Sequence, residues 1–476
     1  MKNKTILWVL VVMLAMAGNI KAQQRQIHIV SANDMHATIN NMPMLAAIVD
    51  SLRGIDNNLL VLSAGDNRTG NPINDLYSIP TYPMTALMNF IGFDASAFGN
   101  HEFDNKQPGL SQVMATSNFP YLCANFKADP ELNVNPLPYI IFYVDGISVG
   151  IIGVVQLGTH GYPDSHPNFM KGFHFSPVEQ TIENYKWLRE KVDVLILLSH
   201  IGYEDDVVMA SKFPWIDVII GGHTHTQLKG GEMHNGVLVT QNVNKLKRVT
   251  YTTITLDGKK IIDKRAENIE VAAYPKKNEV AQNLVNFFND NPEFKRQLAV
   301  VNSEFTCREE LGVMMCDAII SETGADVAIQ NHGGVRYDTK EVGPFTVDDV
   351  LRLDPFGNEC IEMMLTGEEL RQMLISCYNN DDHDFPYVSG VKCEVTVDKD
   401  KKEIKNLKLF SPDGKKLNLK KKYKVAANSY VAAICDAPRE DQGTSTGVVC
   451  SNMLMRFLEK KGTIDYNGVK NLKYME

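Results

Sequence analysis

Five times in the first half of the chain, an almost continuously apolar run ends on a knot of aspartate, asparagine or histidine. The runs are "QIHIVSAND", "NLLVLSAGDN", "DASAFGNHEFD", "DVLILLSHIG" and "DVIIGGHTHT". Unbroken Val, Ile and Leu offer no polar face to solvent, so such strands belong in a sheet covered on both sides. The covers lie between them: "MPMLAAIVDSLRG", closing on Gly54, "YPMTALMNFIGF", "TIENYKWLREKV" and "DVVMASKFPWI" have helical periodicity. The alternation predicts an α/β layered domain. In open α/β sheets the carboxyl ends of the strands line one edge, where ligands bind. The five polar knots are therefore expected to meet.

At 476 residues the chain is too long for one ordinary core, which predicts two domains. A hydrophobic content of 44% with 22% charged residues excludes a disordered chain. The net charge of −9 argues against nucleic acid as a partner. "KKNEVAQNLVNFFNDNPEFKRQL" reads as a polar helix within 273–299, a linker between a first domain over 23–272 and a smaller α/β domain over 300–476. The second domain contains "MMCDAIISETGADVAIQNHGGVR", "CIEMMLTGEELRQMLIS", a hairpin region near 388–424 and "YKVAANSYVAAI". Its lysine-rich stretch alternates apolar residues in "EIKNLKLF" and turns at "PDGKK", the pattern of a solvated hairpin face.

Residues 1–22 read as a signal peptide. Lys2 and Lys4 precede the apolar run Ile6 to Ala17, with Ala17 or Ala22 offering a small-residue cleavage site. The run is about 12 residues against the ~20 that span a bilayer. The expectation is a periplasmic or secreted protein with no stable membrane insertion after cleavage. Seven of the eight cysteines lie in the second half without zinc-binding spacing, so they are either disulfide partners or buried thiols.

The knots supply Asp34 and His36 in "NDMH", Asp66 in "GDN", Asn100, His101 and Asp104 in "GNHEFD", His200 in "SHIG", and His223 and His225 in "GGHTHT". Two carboxylates, an amide oxygen and four imidazoles are nitrogen and oxygen donors without sulfur, suiting two divalent ions of Zn, Mn or Fe. Seven donors exceed one tetrahedral centre and match a pair sharing a carboxylate. Such a pair clamps a phosphate and lowers the pKa of a bridging water.

The order D-x-H, G-D, G-N-H-E-F-D, S-H-x-G and G-G-H-T-H resembles the calcineurin-like metallophosphoesterases. It is most similar to their exported 5′-nucleotidase / 2′,3′-cyclic phosphodiesterase branch, whose second domain is matched by "QNHGGVR" and "DPFGN". The resemblance implies a four-layer α/β/β/α sandwich followed by a substrate-recognition domain whose rotation brings substrate to the metals. It implies one metal on Asp34, His36 and His225, the other on Asn100, His200 and His223, and Asp66 bridging both. His101 then stabilises the phosphoryl transition state or the leaving group, Asp104 orients it, and Glu102 serves the loop.

In the second domain the resemblance assigns substrate contacts to Asn331 and Arg336, with Gly333 and Gly334 admitting close approach. It gives base stacking to Phe356 and, with a displaced register, a contact to Arg308. Two departures stand out. Ala37 replaces a usual glycine, and "AANSYVAAICDAPRED" lacks the glycine-rich loop with its aromatic. One side of the base sandwich is then missing, or comes from Tyr430 or a rearranged loop. The implied activity is hydrolysis of nucleotide 5′-monophosphates by a metal-bridging hydroxide. The alternatives are the same chemistry on a cyclic nucleotide, nucleotide sugar or non-nucleotide phosphoester, or a non-catalytic binding protein.

Overall fold

The computed structural model describes residues 24–475 apart from 57, 382 and 399; the expected signal segment lies outside them. The first domain holds two six-stranded sheets. In the first, Arg25–Ala32, Leu59–Ser63, Ala95–Ala97 and Tyr121–Leu122 run parallel, and Arg248–Asp257 with Lys260–Glu270 close one edge antiparallel. In the second, Ile147–Val155, Val194–His200, Val218–Ile220 and Val237–Thr240 run parallel between two antiparallel edge strands.

Alternate residues of each strand face opposite sides, which sorts the apolar runs into layers. Ile27, Ile29, Leu60 and Leu62 meet Ile151, Ile196, Val218 and Leu238 between the sheets. Val30 and Val61 point outward onto Leu45, Ile48, Leu87 and Phe103. Ile152, Leu197 and Ile219 point outward onto Ile182, Met209 and Ala210. The result is an α/β/β/α sandwich, and it explains why these strands carry no polar face.

The expected linker forms a helix only over Glu279–Asn289, followed by the short turn Pro292–Lys295 and a strand from Gln297. Its Ala281, Val285 and Phe288 are buried in the first domain's core, so the helix rides on that domain. The second domain is a five-stranded mixed sheet: Tyr387–Ser389, Val327–Gln330, Lys422–Asn428, Glu359–Thr366 and Thr444–Val449. Helix Arg308–Thr323 covers one face through Leu311, Met315 and Ile319, and helix Gly367–Asn380 covers the other through Leu370, Met373 and Leu374. The hairpin Lys392–Asp398 and Glu403–Phe410 packs beside it. All eight cysteines are free thiols, seven of them buried. No helix among the described residues is long and apolar enough to cross a membrane.

Candidate active site

All seven ligand candidates converge at the carboxyl ends of the first domain's strands. His36 Nε2 lies 3.3 Å from His225 Nε2, which is 3.5 Å from Asp34 Oδ1. His200 Nε2 lies 3.3 Å from Asp66 Oδ2, 3.9 Å from Asp34 Oδ1 and 3.3 Å from Asn100 Oδ1. His223 Nδ1 is 3.1 Å from the same Asn100 oxygen. Two donor groups stand out within this set: Asp34, His36 and His225, and Asp34, Asp66 and His200. They share Asp34, and Asp66 belongs to the second. A third group, His36, Asp66 and His101, adds the expected non-ligand.

The outer hydrogen bonds aim the donors inward. His200 Nδ1 donates to Ala64 O at 2.6 Å and His36 Nδ1 to Thr69 O at 3.1 Å, leaving each Nε2 lone pair for a cation. Asn100 Nδ2 donates to Asp164 O at 3.0 Å, which turns Oδ1 toward the imidazoles. The backbone is bent to the same end. Asp34, His36, Asp66, His223 and His225 all have left-handed φ, from 44° to 80°. Each such residue costs about 1–3 kcal/mol, a cost that persists only where the surroundings fix it, as at functional sites. Ala37 shares the conformation at φ 53°, so alanine bears strain there that glycine escapes. Glycines permit the closest approaches. A Cβ on Gly99 would fall 2.2 Å from Asp66 Oδ1, and one on Gly222 2.8 Å from His200 Nδ1.

Charge follows the geometry. Burial alone raises the Asp34 carboxyl, but the His225 hydrogen bond and the nearby His200 charge bring it down to about 2. Burial alone lowers His200, yet Asp66 and Asp34 lift it to about 10. Burial and the His200 charge hold His223 at about 4. Buried carboxylates that demand this much positive charge, ringed by inward lone pairs, are the chemistry of a cation site. The donor set fits divalent metal.

His101 stands beside this cluster. Its Nδ1–H donates to Asp104 Oδ2 at 2.7 Å, and its Nε2 lies 4.0 Å from Asp66 Oδ2. Burial opposes its charge, but Asp66 and Asp104 outweigh burial and raise its pKa. Asp104 is itself fixed by Thr69 Oγ1 at 2.8 Å and Ser165 Oγ at 3.0 Å. Glu102 touches none of the donors. It accepts the backbone N–H groups of Asp66, Asn67 and Gly99, so it serves the loop.

The second domain closes over the cluster, leaving a cleft of about 210 Å³ between the two. Arg336 Nη2 stands 3.4 Å from His101 Nε2, and the Phe356 ring stacks on the His101 ring at 6.0 Å and 26°. Arg336 Cζ lies 5.5 Å over Phe356. Asn331 and Gly333 also line the cleft. Gly334 does not; a Cβ there would meet the Gln330 amide nitrogen and fall 2.5 Å from Asn331 Oδ1. Arg308 lies outside the lining and pairs with Asp338 at 2.6 Å. The loop at 435–440 is tied back to helix Gly367–Asn380. Ser376 Oγ donates to Asp436 Oδ1 at 2.5 Å, and the Glu440 N–H donates to Glu369 Oε1 at 2.8 Å. Tyr430 lines the cleft instead.

Sequence reasoning missed Asp164, Ser165, His166 and Phe169, which line the cleft from the first domain. The signal was present: strand Ile147–Val155 is a further apolar run, and it leads into the polar "YPDSHP". It also missed Asn358, Asn380 and Asp381.

Fold and site together are those of a two-domain metallophosphoesterase. The family model for calcineurin-like phosphoesterases matches residues 27–227, and that for the 5′-nucleotidase C-terminal domain matches 285–437. A 5′-nucleotidase of Vibrio cholerae is 28% identical, covering 86% of this chain and 84% of that protein. The trifunctional nucleotide phosphoesterase YfkN of Bacillus subtilis is 26% identical over 91% of this chain, which spans only 34% of that protein. The crystal structure of a 5′-nucleotidase precursor from Thermus thermophilus shares the fold, with a TM-score of 0.84 at 23% identity over 95% of this chain and 100% of that one. The chain is a calcineurin-like phosphoesterase domain followed by a 5′-nucleotidase C-terminal domain. It belongs to the family of metal-dependent phosphoester hydrolases built from that pair.

Proposed function

We propose that the protein is an exported 5′-nucleotidase that releases phosphate from nucleoside 5′-monophosphates with two divalent ions. The observation that carries this reading is the arrangement of His101, Arg336 and Phe356 directly over seven convergent oxygen and nitrogen donors. Asp34, His36 and His225 would hold one ion and Asn100, His200 and His223 the other, with Asp66 between them. When bound, the pair supplies Lewis acidity toward the phosphoryl group and an activated water.

The chain's own residues do the rest. Arg336 presents a fork of donors to the phosphate oxygens. His101, kept charged by Asp66 and Asp104, faces the same place and stabilises the developing negative charge or protonates the leaving oxygen. Phe356 and Tyr430 offer aromatic faces along the cleft for a base. Closure of the second domain excludes water from the reacting groups. Export rests on the pattern of residues 1–22.

The pinned loop at 435–440 favours a second reading, the same chemistry on another phosphoester, because that loop presents no aromatic. Phosphate release from AMP, from para-nitrophenyl phosphate and from a cyclic nucleotide, with Mn²⁺ or Zn²⁺, separates the readings. Release from AMP that falls at least a hundredfold in His101→Ala is expected, an acid–base contribution being worth about 10²–10⁴. Release from the aryl ester but not AMP contradicts the nucleotidase reading, and none from any ester contradicts hydrolysis.

A further inference from the structure

A buried arginine holds both members of the His101–Asp104 pair at once. Arg68 stands two residues after Asp66 in the "GDNRTG" turn, and only 5% of its side chain is exposed. A guanidinium taken out of water needs partners, and its rigid fork of donors can serve several acceptors in different directions. Nε donates to Thr81 Oγ1 at 3.1 Å, and Nη2 lies 3.8 Å from Asp75 Oδ1. Asp75 is itself anchored, because its carboxylate accepts the backbone N–H groups of Thr69, Gly70 and Asn71 at 3.1, 2.8 and 3.1 Å. The third nitrogen, Nη1, donates to His101 O at 3.2 Å and lies 3.8 Å from Asp104 Oδ2. That carboxylate oxygen is the one that accepts the His101 Nδ1–H.

We infer that Arg68 is a positioning residue for phosphoester hydrolysis, fixing the His101 backbone and the Asp104 carboxylate relative to each other so that the imidazole stays aimed at the reacting phosphate. This inference rests on the role given to His101 above. The pair is three residues apart in the short turn Asn100–Asn105, where the backbone alone does not set the angle of a side-chain ring. Thr69 and Ser165 hold the Asp104 carboxylate only. Arg68 holds that carboxylate and the His101 main chain together, and so ties the ring's partner to the ring's own backbone. It lines no part of the cleft, so it acts through His101 and not on the substrate. A lysine is a poor substitute here. Its ammonium is a compact point charge without the planar fork that serves Thr81, Asp75 and His101 in three directions. A misplacement of about 1 Å in a reacting group costs about a hundredfold in rate, so a loosened Arg68 is read in turnover.

The test measures AMP hydrolysis by the metal-loaded full chain, with His101→Ala as a second background. In Arg68→Lys, kcat is expected to fall about tenfold to a hundredfold while KM for AMP stays within about twofold. In the His101→Ala background the same substitution is expected to cost less than about twofold, because the residue through which it acts is gone. Thr81→Val withdraws the Nε acceptor and leaves every charge in place. It is expected to repeat the pattern at smaller size, so an unfolded Arg68→Lys does not protect the inference. Equal losses with and without His101, or a change confined to KM, overturn it. Solvent exchange of the His101 Nδ1 proton, followed by NMR and identified by its loss in His101→Ala, gives a readout independent of turnover. Exchange is expected to quicken about tenfold or more in Arg68→Lys. An unchanged exchange rate overturns the inference even where phosphate is released. Quickened exchange in a protein that releases no phosphate supports the positioning of His101 by Arg68 and contradicts the hydrolytic role given to His101.

Discussion

The carboxylate of Glu102 receives the backbone N–H of Asp66 at 2.9 Å. It also receives the N–H groups of Asn67 at 2.8 Å and Gly99 at 2.6 Å, so one buried side chain ties the "GDN" turn to the "GNHEFD" turn. The left-handed φ of 53° at Asp66 is held by this clamp. Glu102→Ala leaves three buried donors without a partner, a cost of about 1–3 kcal/mol each. A loss of about 3 kcal/mol or more in denaturant unfolding is expected, with reduced metal content by elemental analysis. Unchanged stability and metal content would remove Glu102 from this role.

Asp66 and Asp104 together keep His101 charged, and Asp104 is the one bonded to it. With the carboxylate 2.7 Å from Nδ1, the imidazolium persists to higher pH than a free histidine. Asp104→Asn removes that support, so His101 loses its proton at lower pH. The alkaline limb of the pH–rate profile is expected to move to lower pH, and kcat to fall about tenfold or more. A limb that stays in place would show that His101 protonation does not govern the rate.

Much of this site is legible in the sequence, for a physical reason. Parallel strands buried on both faces must be apolar throughout, so polar residues can enter only at their ends. That makes "NDMH", "SHIG" and "GGHTHT" visible against their runs. The capping pairs Thr346–Asp349 and Thr366–Glu369, both formed, are likewise written as local spacings in "TVDD" and "TGEE". What escapes is set by distance in the fold. Asp164 orients Asn100 through a backbone carbonyl, which carries no residue preference. Asp381 reaches the cleft only because Gly333 and Asn331, about 50 residues upstream, fold against it. The helix at Glu279–Asn289 reads as a linker because its polar face dominates the sequence, while three residues suffice to seat it on the first core.

Asp354 begins the "DPFGN" turn and is fully buried, with Oδ1 lacking a hydrogen-bond partner. Burial pushes its carboxyl up to about 7 from an ordinary 3.8. A group whose pKa is raised on folding stabilises fully below the unfolded value and loses that contribution as pH rises toward the folded one. Asp354→Asn is therefore expected to exceed wild type in stability at about pH 8, by up to ~4 kcal/mol. The difference should close as the pH is lowered to about 4. Equal stability at both ends of that range would contradict the buried, protonated carboxyl.

We propose above that Asp34, His36, Asp66, Asn100, His200, His223 and His225 form one two-ion centre for phosphoester hydrolysis. Titrating the chelator-stripped protein with Mn²⁺ while recording phosphate release from AMP tests it most directly. A two-ion centre gives no release without metal, full activity only after two equivalents per chain, and loss of the second equivalent in Asp66→Asn. Full activity at one equivalent, or in the presence of excess chelator, would contradict it.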